Sequence, residues 1–260
     1  MILTMDIGNT NIKIGLFDGA KLTQYWRLAS KRTYTSDELG VLMTSLFHSR
    51  NVDMREVRGI MLSSVVPTIN YTVEHMCREY FDVEPAFVAP GIKTGIDIKY
   101  ENPRELGSDR ICNAVATYTE YGGNTIFIDF GTATTFGVLD EGGAFLGGCI
   151  CPGLRLASDA LVSGTAKLPH FELIHPEHVI GKNTIANMQS GIFYGYVGQV
   201  NYLIGRMRAE MGCPGAKVIA TGGFAKLIAD ESKMINCFDG LLTLKGLLTI
   251  YNKNFGGNEE

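Results

Sequence analysis

The chain has 260 residues, of which 45% are hydrophobic and 10% aromatic, and this globular composition excludes disorder over most of its length. Its 23 Lys and Arg against 27 Asp and Glu give a formal net charge of −4, and no Lys/Arg cluster exceeds two residues. Nucleic acid and anionic membranes are therefore excluded as main partners, because neither finds a basic surface.

The first half of the chain predicts an α/β unit. Short apolar or alternating segments, broken by Gly8-Asn9 and Asp18-Gly19, predict a meander of strands over residues 2–7, 11–17 and 21–29. A helix follows, with Ser36 as the N-cap candidate ahead of acids and apolar residues spaced by three to four. A buried strand over 59–65, a helix from Pro67 and a short strand near Phe87 complete the unit.

The second half repeats this order. Strands are predicted over 124–129, 132–139 and 144–151, then helices over 154–162 and 184–211, a strand over 217–220, and helices over 224–229 and 241–251. A helix over 103–121 connects the halves. The predicted domains are residues 1–116 and 117–260.

A piece of sequence recurs with the order of elements. Residues 5–11 and 128–134 each contain Asp-x-Gly followed by small hydroxyl or amide residues, at an offset of 123 (129 minus 6). Both segments then reach a Gly-x-x-Asp, at residues 15–18 and 137–140. The repeat predicts duplicated half-molecules.

The repeated turn suits phosphate. A glycine lets the backbone approach a ligand, the following residues supply N–H and O–H donors, and an Asp at a strand end can hold magnesium. One such turn is more often a plain hairpin turn, but two with matched flanks favour a phosphate clamp. Thr221-Gly222-Gly223 after a strand offers a surface for adenine or ribose, or a simple tight turn. The sequence has neither a P-loop nor a Rossmann fingerprint.

Other features carry less chemistry. The longest apolar runs fall far short of the roughly 20 residues of a membrane span, and the start lacks a basic signal-peptide region, so we expect a soluble, cytoplasmic protein. The six cysteines are expected to be reduced, with Cys149 and Cys151 on one strand face rather than in a metal site. His170, His175 and His178 are interpreted as loop histidines, because Pro176 interrupts any helix that would align them.

Together these motifs resemble those of the actin, sugar kinase and heat-shock ATPase superfamily, and within it the chain is similar to type III pantothenate kinases. Residues 6–13 with Gly15 resemble the first phosphate motif, residues 107–110 (Gly-Ser-Asp-Arg) the substrate motif, and residues 129–134 the second phosphate motif. The motifs come in family order over nearly the whole chain. The resemblance implies an α/β fold of two duplicated ribonuclease-H-like lobes with an ATP cleft between them.

The resemblance also implies a reaction: ATP-dependent phosphorylation of pantothenate to 4'-phosphopantothenate, the first step of coenzyme A biosynthesis. Asp109 is the implied general base, Asp6 the magnesium ligand and Asp129 the ligand of a monovalent cation, potassium or ammonium. The implied ATP-binding residues are Asp6, Ile7, Gly8, Asn9, Thr10, Asn11, Ile12, Lys13 and Thr132. The implied pantothenate-binding residues are Tyr100, Gly107, Ser108, Asp109, Arg110 and Thr184, with Thr184 acting across the interface of a homodimer.

Alternatives stay open on the residues alone. Asp109 heads an apolar-periodic helix, where an acid can simply serve the helix dipole, Arg110 can be a surface salt bridge, and Lys13 a solvated edge charge. Another small-hydroxyl kinase, such as one acting on a sugar, is a second hypothesis. A nucleotide-binding regulator without turnover is a third hypothesis. A regulator that no longer catalyses could lose the acid at position 109, and this chain retains Asp109.

Overall fold

The first half of the chain forms a five-stranded mixed sheet in the computed structural model, which describes residues 1–256. Its strands are β1 Ile2–Ile7, β2 Asn11–Asp18, β3 Lys21–Ala29, β4 Gly59–Ser64 and β5 Ala86–Phe87, in the order β3-β2-β1-β4-β5. The first three strands pair antiparallel, and β4 and β5 join in parallel after the helices α1 Ser36–Ser49 and α2 Asn70–Phe81. The predicted α/β unit is confirmed.

The second sheet repeats this topology. Its strands are β6 Thr125–Phe130, β7 Ala133–Leu139, β8 Phe145–Pro152, β9 Lys217–Gly222 and β10 Cys237–Phe238, in the order β10-β9-β6-β7-β8. The remaining helices are α3 Ser108–Tyr121, α4 Leu154–Ser163, α5 Thr184–Glu210, α6 Ala225–Ala229 and α7 Leu242–Phe255. β6 pairs antiparallel with β7 and parallel with β9, as β1 does with β2 and β4, so the duplication holds in three dimensions.

The two hairpins differ in the length of their turns. β1 and β2 close at the pair Ile7–Ile12, which leaves residues 8–11 in the turn, whereas β6 and β7 close at Phe130–Thr134, which leaves residues 131–133. The second turn is therefore one residue shorter. This deletion explains why the sequence offset falls from 123 (129 minus 6) on the first strand of each hairpin to 122 (137 minus 15) on the second.

Apolar periodicity accounts for the helices on one face of each sheet. Buried side chains of α1 and α2 pack on the first sheet, and those of α5 pack on the second: Leu39, Met43, Phe47, Val73, Met76, Cys77 and Phe81, then Phe193, Val197, Val200 and Ile204. Their spacing of three to four residues gives one apolar stripe per helix. None of the helices within residues 1–256 combines the length and apolarity needed to cross a bilayer.

Three local predictions need correction. The N-cap of α1 is Thr35 rather than Ser36, because Thr35 and Glu38 form a reciprocal capping box. The predicted helix over 103–121 is a short 3₁₀ turn at Pro103–Glu105 followed by α3 from Ser108. β10 was not predicted, since its two residues are too short for a periodic pattern.

Contacts divide the chain into two compact units whose boundary falls within α3, between Ala116 and Thr117. Two segments differ from the predicted ranges. Residues 96–101 belong to the second unit, because Phe145 accepts a backbone hydrogen bond from Lys99 (2.9 Å) and donates one to Asp97 (2.7 Å). α7 belongs to the first unit, because it packs on β1, β2 and β4.

Equivalent glycines on β2 and β7 give a stability prediction. A Cβ on Gly137 would lie 2.0 Å from Cζ of the buried Phe127, whereas one on Gly15 would lie 3.0 Å from Thr4 Oγ1. We expect Gly137→Ala to lower the free energy of unfolding by about 1–3 kcal/mol through overpacking, and Gly15→Ala to cost less. Urea unfolding of both variants tests this. An equal or larger loss for Gly15→Ala would contradict the packing argument.

Candidate active site

The first sheet places an acid, a lysine and a serine side by side near the carboxyl end of β1. Asp6 is paired with Lys13 on β2 and with Ser63 on β4, so the three side chains share one face of the sheet. Asp6 is only 6% exposed, and its Oδ2 lies 3.4 Å from Lys13 Nζ. Lys13 is therefore paired with an acid at the edge of the first turn, and is not a solvated charge.

The first turn, residues 8–10, presents its donors outward. Its backbone is fixed by hydrogen bonds from Gly8 N to Asn11 O (3.0 Å) and from Ser30 N to Thr10 O (2.9 Å). Asn9 and Thr10 are exposed. Ile7 and Ile12, by contrast, have side chains in the core of the unit, so they can offer a ligand only backbone groups.

The Gly-Ser-Asp-Arg motif begins α3 and is attached to the end of β4. Ser108 Oγ contacts Ser63 Oγ at 3.0 Å, accepts from Ser64 N at 3.1 Å and donates to Ser64 O at 3.1 Å. Asp109 is half-buried, and its Oδ1 accepts the backbone N–H of Arg110 at 2.8 Å. A Cβ on Gly107 would lie 2.6 Å from that same Oδ1, so the motif glycine leaves room for the carboxylate.

Asp6 and Asp109 both influence the buried thiol of Cys112. Burial raises the pKa of Cys112 on α3 well above its ordinary value, and the negative charges of Asp6 and Asp109 raise it further. The structure thus brings Asp6, beside the first glycine turn, and the Gly-Ser-Asp-Arg motif together at one edge of the first unit. Arg110 is only 6% exposed, which excludes a solvated surface salt bridge.

The second unit gathers three glycine segments at the equivalent edge. Asp129 on β6 is level with Thr221 on β9, and Gly222 has φ +97° with its missing Cβ position 2.5 Å from Asp129 Oδ1. Gly153 donates its N–H to the carbonyl of Thr132 at 3.1 Å, and a Cβ there would lie 2.2 Å from that carbonyl oxygen. The second turn is therefore held by close backbone approaches that only glycine permits.

Tyr196 on α5 contacts the strand ends beside the second turn, and the sequence did not predict this role. Its hydroxyl contacts Thr134 Oγ1 and lies 3.0 Å from the carbonyl oxygen of Pro152. Burial raises the pKa of Tyr196 to about 12, so the phenol stays neutral and can bridge these groups. Nothing distinguishes this tyrosine within the predicted long helix. Ser63 and Ser64 were also missed, although two serines ending an apolar strand are a usable signal.

Tyr100 and Thr184 both lie in the second unit. Tyr100 is half-buried, with its ring centroid 6.2 Å from that of Phe145. Thr184 is the exposed first residue of α5 and lines a cavity of about 370 Å³ between α4 and α5, whose apolar walls include Leu161, Met188 and Ile192. Neither residue belongs to the unit that carries Asp109 and Arg110.

The histidine-rich loop does not assemble a metal centre. His175 packs edge-on against Phe193 at 4.7 Å between ring centroids, and its Nε2 lies 3.2 Å from Glu231. Within residues 1–256, no group of three or more His, Cys, Asp or Glu side chains is placed to bind a metal ion.

Solved structures share this fold. A conserved putative Baf family transcriptional activator from Campylobacter jejuni has a TM-score of 0.62 at 20% identity, covering 96% of this chain and 98% of its own. A putative 2-dehydro-3-deoxygalactonokinase from Sinorhizobium meliloti has a TM-score of 0.60 at 11% identity, covering 100% and 99%. An inorganic polyphosphate/ATP-glucomannokinase from Arthrobacter gives 0.51 at 12%, covering 97% of both chains. At such identities the likeness shows the fold alone.

The repeated sheets, each with a glycine turn at the end of its first strand, are those of the α/β fold that solved sugar kinases share. The family model described as type III pantothenate kinase matches residues 2–206. The chain belongs to the type III pantothenate kinase family. The match includes both phosphate turns and the Gly-Ser-Asp-Arg motif, and the family uses ATP as co-substrate.

Adjacent glycines test the packing of the second turn. Gly222 has φ +97°, and a Cβ there would meet Asp129 and the backbone of Phe130, whereas a Cβ on the exposed Gly223 meets nothing within 4 Å. We expect Gly222→Ala to lower the free energy of unfolding by about 1–3 kcal/mol, and Gly223→Ala to change it by less than about 0.5 kcal/mol. Urea unfolding measures both. Equal stability of the two variants would contradict the close approach to Asp129.

Proposed function

We propose that the chain transfers the γ-phosphoryl group of ATP to the primary hydroxyl of pantothenate, with Asp109 as the general base. One observation carries this assignment: α3 places Asp109 at the same sheet edge as the first phosphate turn, Asp6 and Lys13. Phosphoryl transfer needs mainly charge neutralisation and positioning, with a carboxylate near the attacking oxygen. Family membership supports pantothenate as the substrate.

The phosphate groups are assigned to the two glycine turns. In this proposal the N–H and side-chain donors of residues 8–11, the Lys13 ammonium and the exposed Thr132 bind phosphate oxygens. Asp6 would hold magnesium, because a nearly buried carboxylate oxygen at a strand end is the donor type that this hard cation takes. Bound magnesium neutralises triphosphate charge. The predicted ATP cleft stays a prediction.

Asp109 acts on the acceptor alcohol. The hydrogen bond from Arg110 N to its Oδ1 fixes the carboxyl plane, so the group orients the pantothenate hydroxyl. An ordinary Asp is far too acidic to deprotonate an alcohol in the ground state, so it accepts the proton late, as the O–P bond forms. The Arg110 guanidinium, whose fork suits a planar anion, is assigned to the pantothenate carboxylate.

Tyr100 and Thr184 are the further pantothenate contacts that the family resemblance implies. Thr184 is exposed beside an apolar cavity of about 370 Å³. A second copy of the chain covering that surface would bring Thr184 to the partner's substrate, as the family resemblance implies, and would make the enzyme a homodimer.

Asp129 is assigned to a monovalent cation. The hydroxyl of Thr221, level with Asp129 on the next strand, is buried without a hydrogen-bond partner, and its oxygen fits a cation. One carboxylate with neutral oxygens suits potassium or ammonium. Asp129 and Thr221 would hold the ion beside the second phosphate turn.

The base assignment predicts a large loss in Asp109→Asn. Without the carboxylate, kcat for pantothenate falls by about 10²–10⁴-fold while the free energy of unfolding stays near that of the wild type. A coupled ADP-release assay in potassium buffer measures this, with Asp18→Asn at the opposite end of β2 as the control. Wild-type turnover in Asp109→Asn would contradict the assignment of Asp109 as the base. Faster ADP release with a sugar than with pantothenate or pantetheine would favour the sugar-kinase alternative. Absence of ADP release with every acceptor would favour the nucleotide-binding regulator.

The cation assignment predicts selectivity between salts. Activity requires potassium or ammonium and falls when sodium replaces it. Thr221→Val raises the potassium concentration for half-maximal rate, whereas Thr125→Val, at the other end of β6, leaves it unchanged. Initial rates across a series of chloride salts at constant ionic strength measure this. Equal rates in sodium and potassium would remove the role of Asp129.

A further inference from the structure

The hydrogen-bonding capacity of the Ser108 hydroxyl is filled by groups of the protein itself. A hydroxyl donates one hydrogen bond and accepts two. Ser108 Oγ donates to Ser64 O and accepts from Ser64 N, both at 3.1 Å, so Ser63 Oγ, at 3.0 Å, supplies the second accepted bond. No capacity is left for a substrate. Ser108, at 8% exposure, therefore serves the position of α3 rather than direct contact with pantothenate.

Ser63 is the inner member of this pair. It is 0% exposed, ends an otherwise apolar strand and is paired with Asp6 in the sheet register. Its contact with Ser108 Oγ, at 3.0 Å, joins the end of β4 to the first turn of α3.

The position of the Asp109 carboxylate depends directly on this attachment of α3 to β4. Asp109 is the next residue after Ser108, and its Oδ1 is held between Arg110 N, at 2.8 Å, and the Cα of Gly107, where a Cβ would come within 2.6 Å. A shift or rotation of the first turn of α3 moves this carboxylate relative to Asp6 and the first phosphate turn. The contacts of Ser108 with β4 oppose that movement.

We propose that Ser63 and Ser108 are positioning residues, which hold the first turn of α3 on β4 so that the Asp109 carboxylate keeps its distance from the phosphate turn. This inference rests on the proposed role of Asp109 as base. In this proposal the two hydroxyls act through α3 and not through contact with a substrate.

Ser64 provides a matched control. Its side chain is engaged elsewhere, with Oγ donating to Asn70 Oδ1 at 2.5 Å and accepting from Val66 N at 3.2 Å, while only its backbone meets Ser108. Ser63→Ala and Ser64→Ala thus each remove one hydrogen-bonded hydroxyl at the end of β4. Only the first removes a bond to α3.

The test is a split of kcat from KM in the ADP-release assay with ATP and pantothenate, together with urea unfolding. We expect Ser63→Ala to lower kcat by about 10- to 100-fold, because small misplacements of a reacting group cost this much. KM for ATP stays within about threefold, because the residues assigned to the phosphates do not lie on α3, whereas KM for pantothenate rises because Arg110 moves with Asp109. Ser64→Ala keeps kcat within about twofold at a comparable loss of stability, and Ser63→Thr, which retains the hydroxyl, restores kcat.

Gly107→Ala is an independent second variant. Its Cβ would displace a flexible carboxylate end, so we expect kcat to fall about as far as in Ser63→Ala with stability unchanged. Should Ser63→Ala not fold, Ser63→Cys, with a weaker hydrogen-bonding thiol, carries the test and gives an intermediate kcat. Equal kcat in Ser63→Ala and Ser64→Ala would overturn the positioning role. Wild-type turnover in Asp109→Asn would instead overturn the proposed base, so the two failures are distinguishable.

Discussion

The attachment of α3 to β4 through the Ser108 hydroxyl is the contact on which the candidate site depends. A typical hydrogen bond contributes only about 1 kcal/mol net, but loss of this hydroxyl would remove the contact with Ser63 Oγ and leave the partly buried N–H and carbonyl of Ser64 without their partner on α3. The alternative positions of α3 are therefore costly. Arg110 and Cys112 follow Ser108 on the same helix, so one hydroxyl sets the placement of the whole motif.

Duplication supplies the scaffold, and small differences between the copies give each edge its own chemistry. In the first hairpin the strand-end acid faces a lysine, Asp6 against Lys13, whereas in the second it faces a hydroxyl, Asp129 against Thr135. An acid beside an ammonium suits a magnesium–triphosphate complex, because the acid can face the magnesium ion and the ammonium can face the phosphate oxygens. An acid among hydroxyls suits a weakly hydrated monovalent cation. The same topology thus permits two different ion sites.

Local sequence patterns were sufficient for most strands and for both turns, because period and turn chemistry are properties of neighbouring residues. They failed where the deciding partner is distant. The role of Ser108 depends on Ser64, 44 residues earlier, and the amphipathic pattern of α7 shows that it has a buried face but not which sheet covers it. Thr35 was missed as N-cap because Ser36 beside it has the higher intrinsic preference for that position. Turn chemistry predicted the positions of the two glycine turns, whereas long-range hydrogen bonds, visible only in the structure, show what holds the Gly-Ser-Asp-Arg motif on the sheet.

Cys112 is a thiol near the proposed base, and its environment keeps it from acting as a nucleophile. A thiol reacts as thiolate, and both burial and the neighbouring Asp6 and Asp109 raise the pKa of Cys112, so it stays protonated at neutral pH. Asp6 is nearly buried and lies against Lys13, a setting that suits the proposed metal ion. Of these three groups on the same edge, Asp109 alone is half-exposed at a helix start, where an approaching alcohol can reach its oxygens. The two acids therefore differ in their setting: Asp6 is nearly buried beside Lys13, and Asp109 is half-buried at the start of α3.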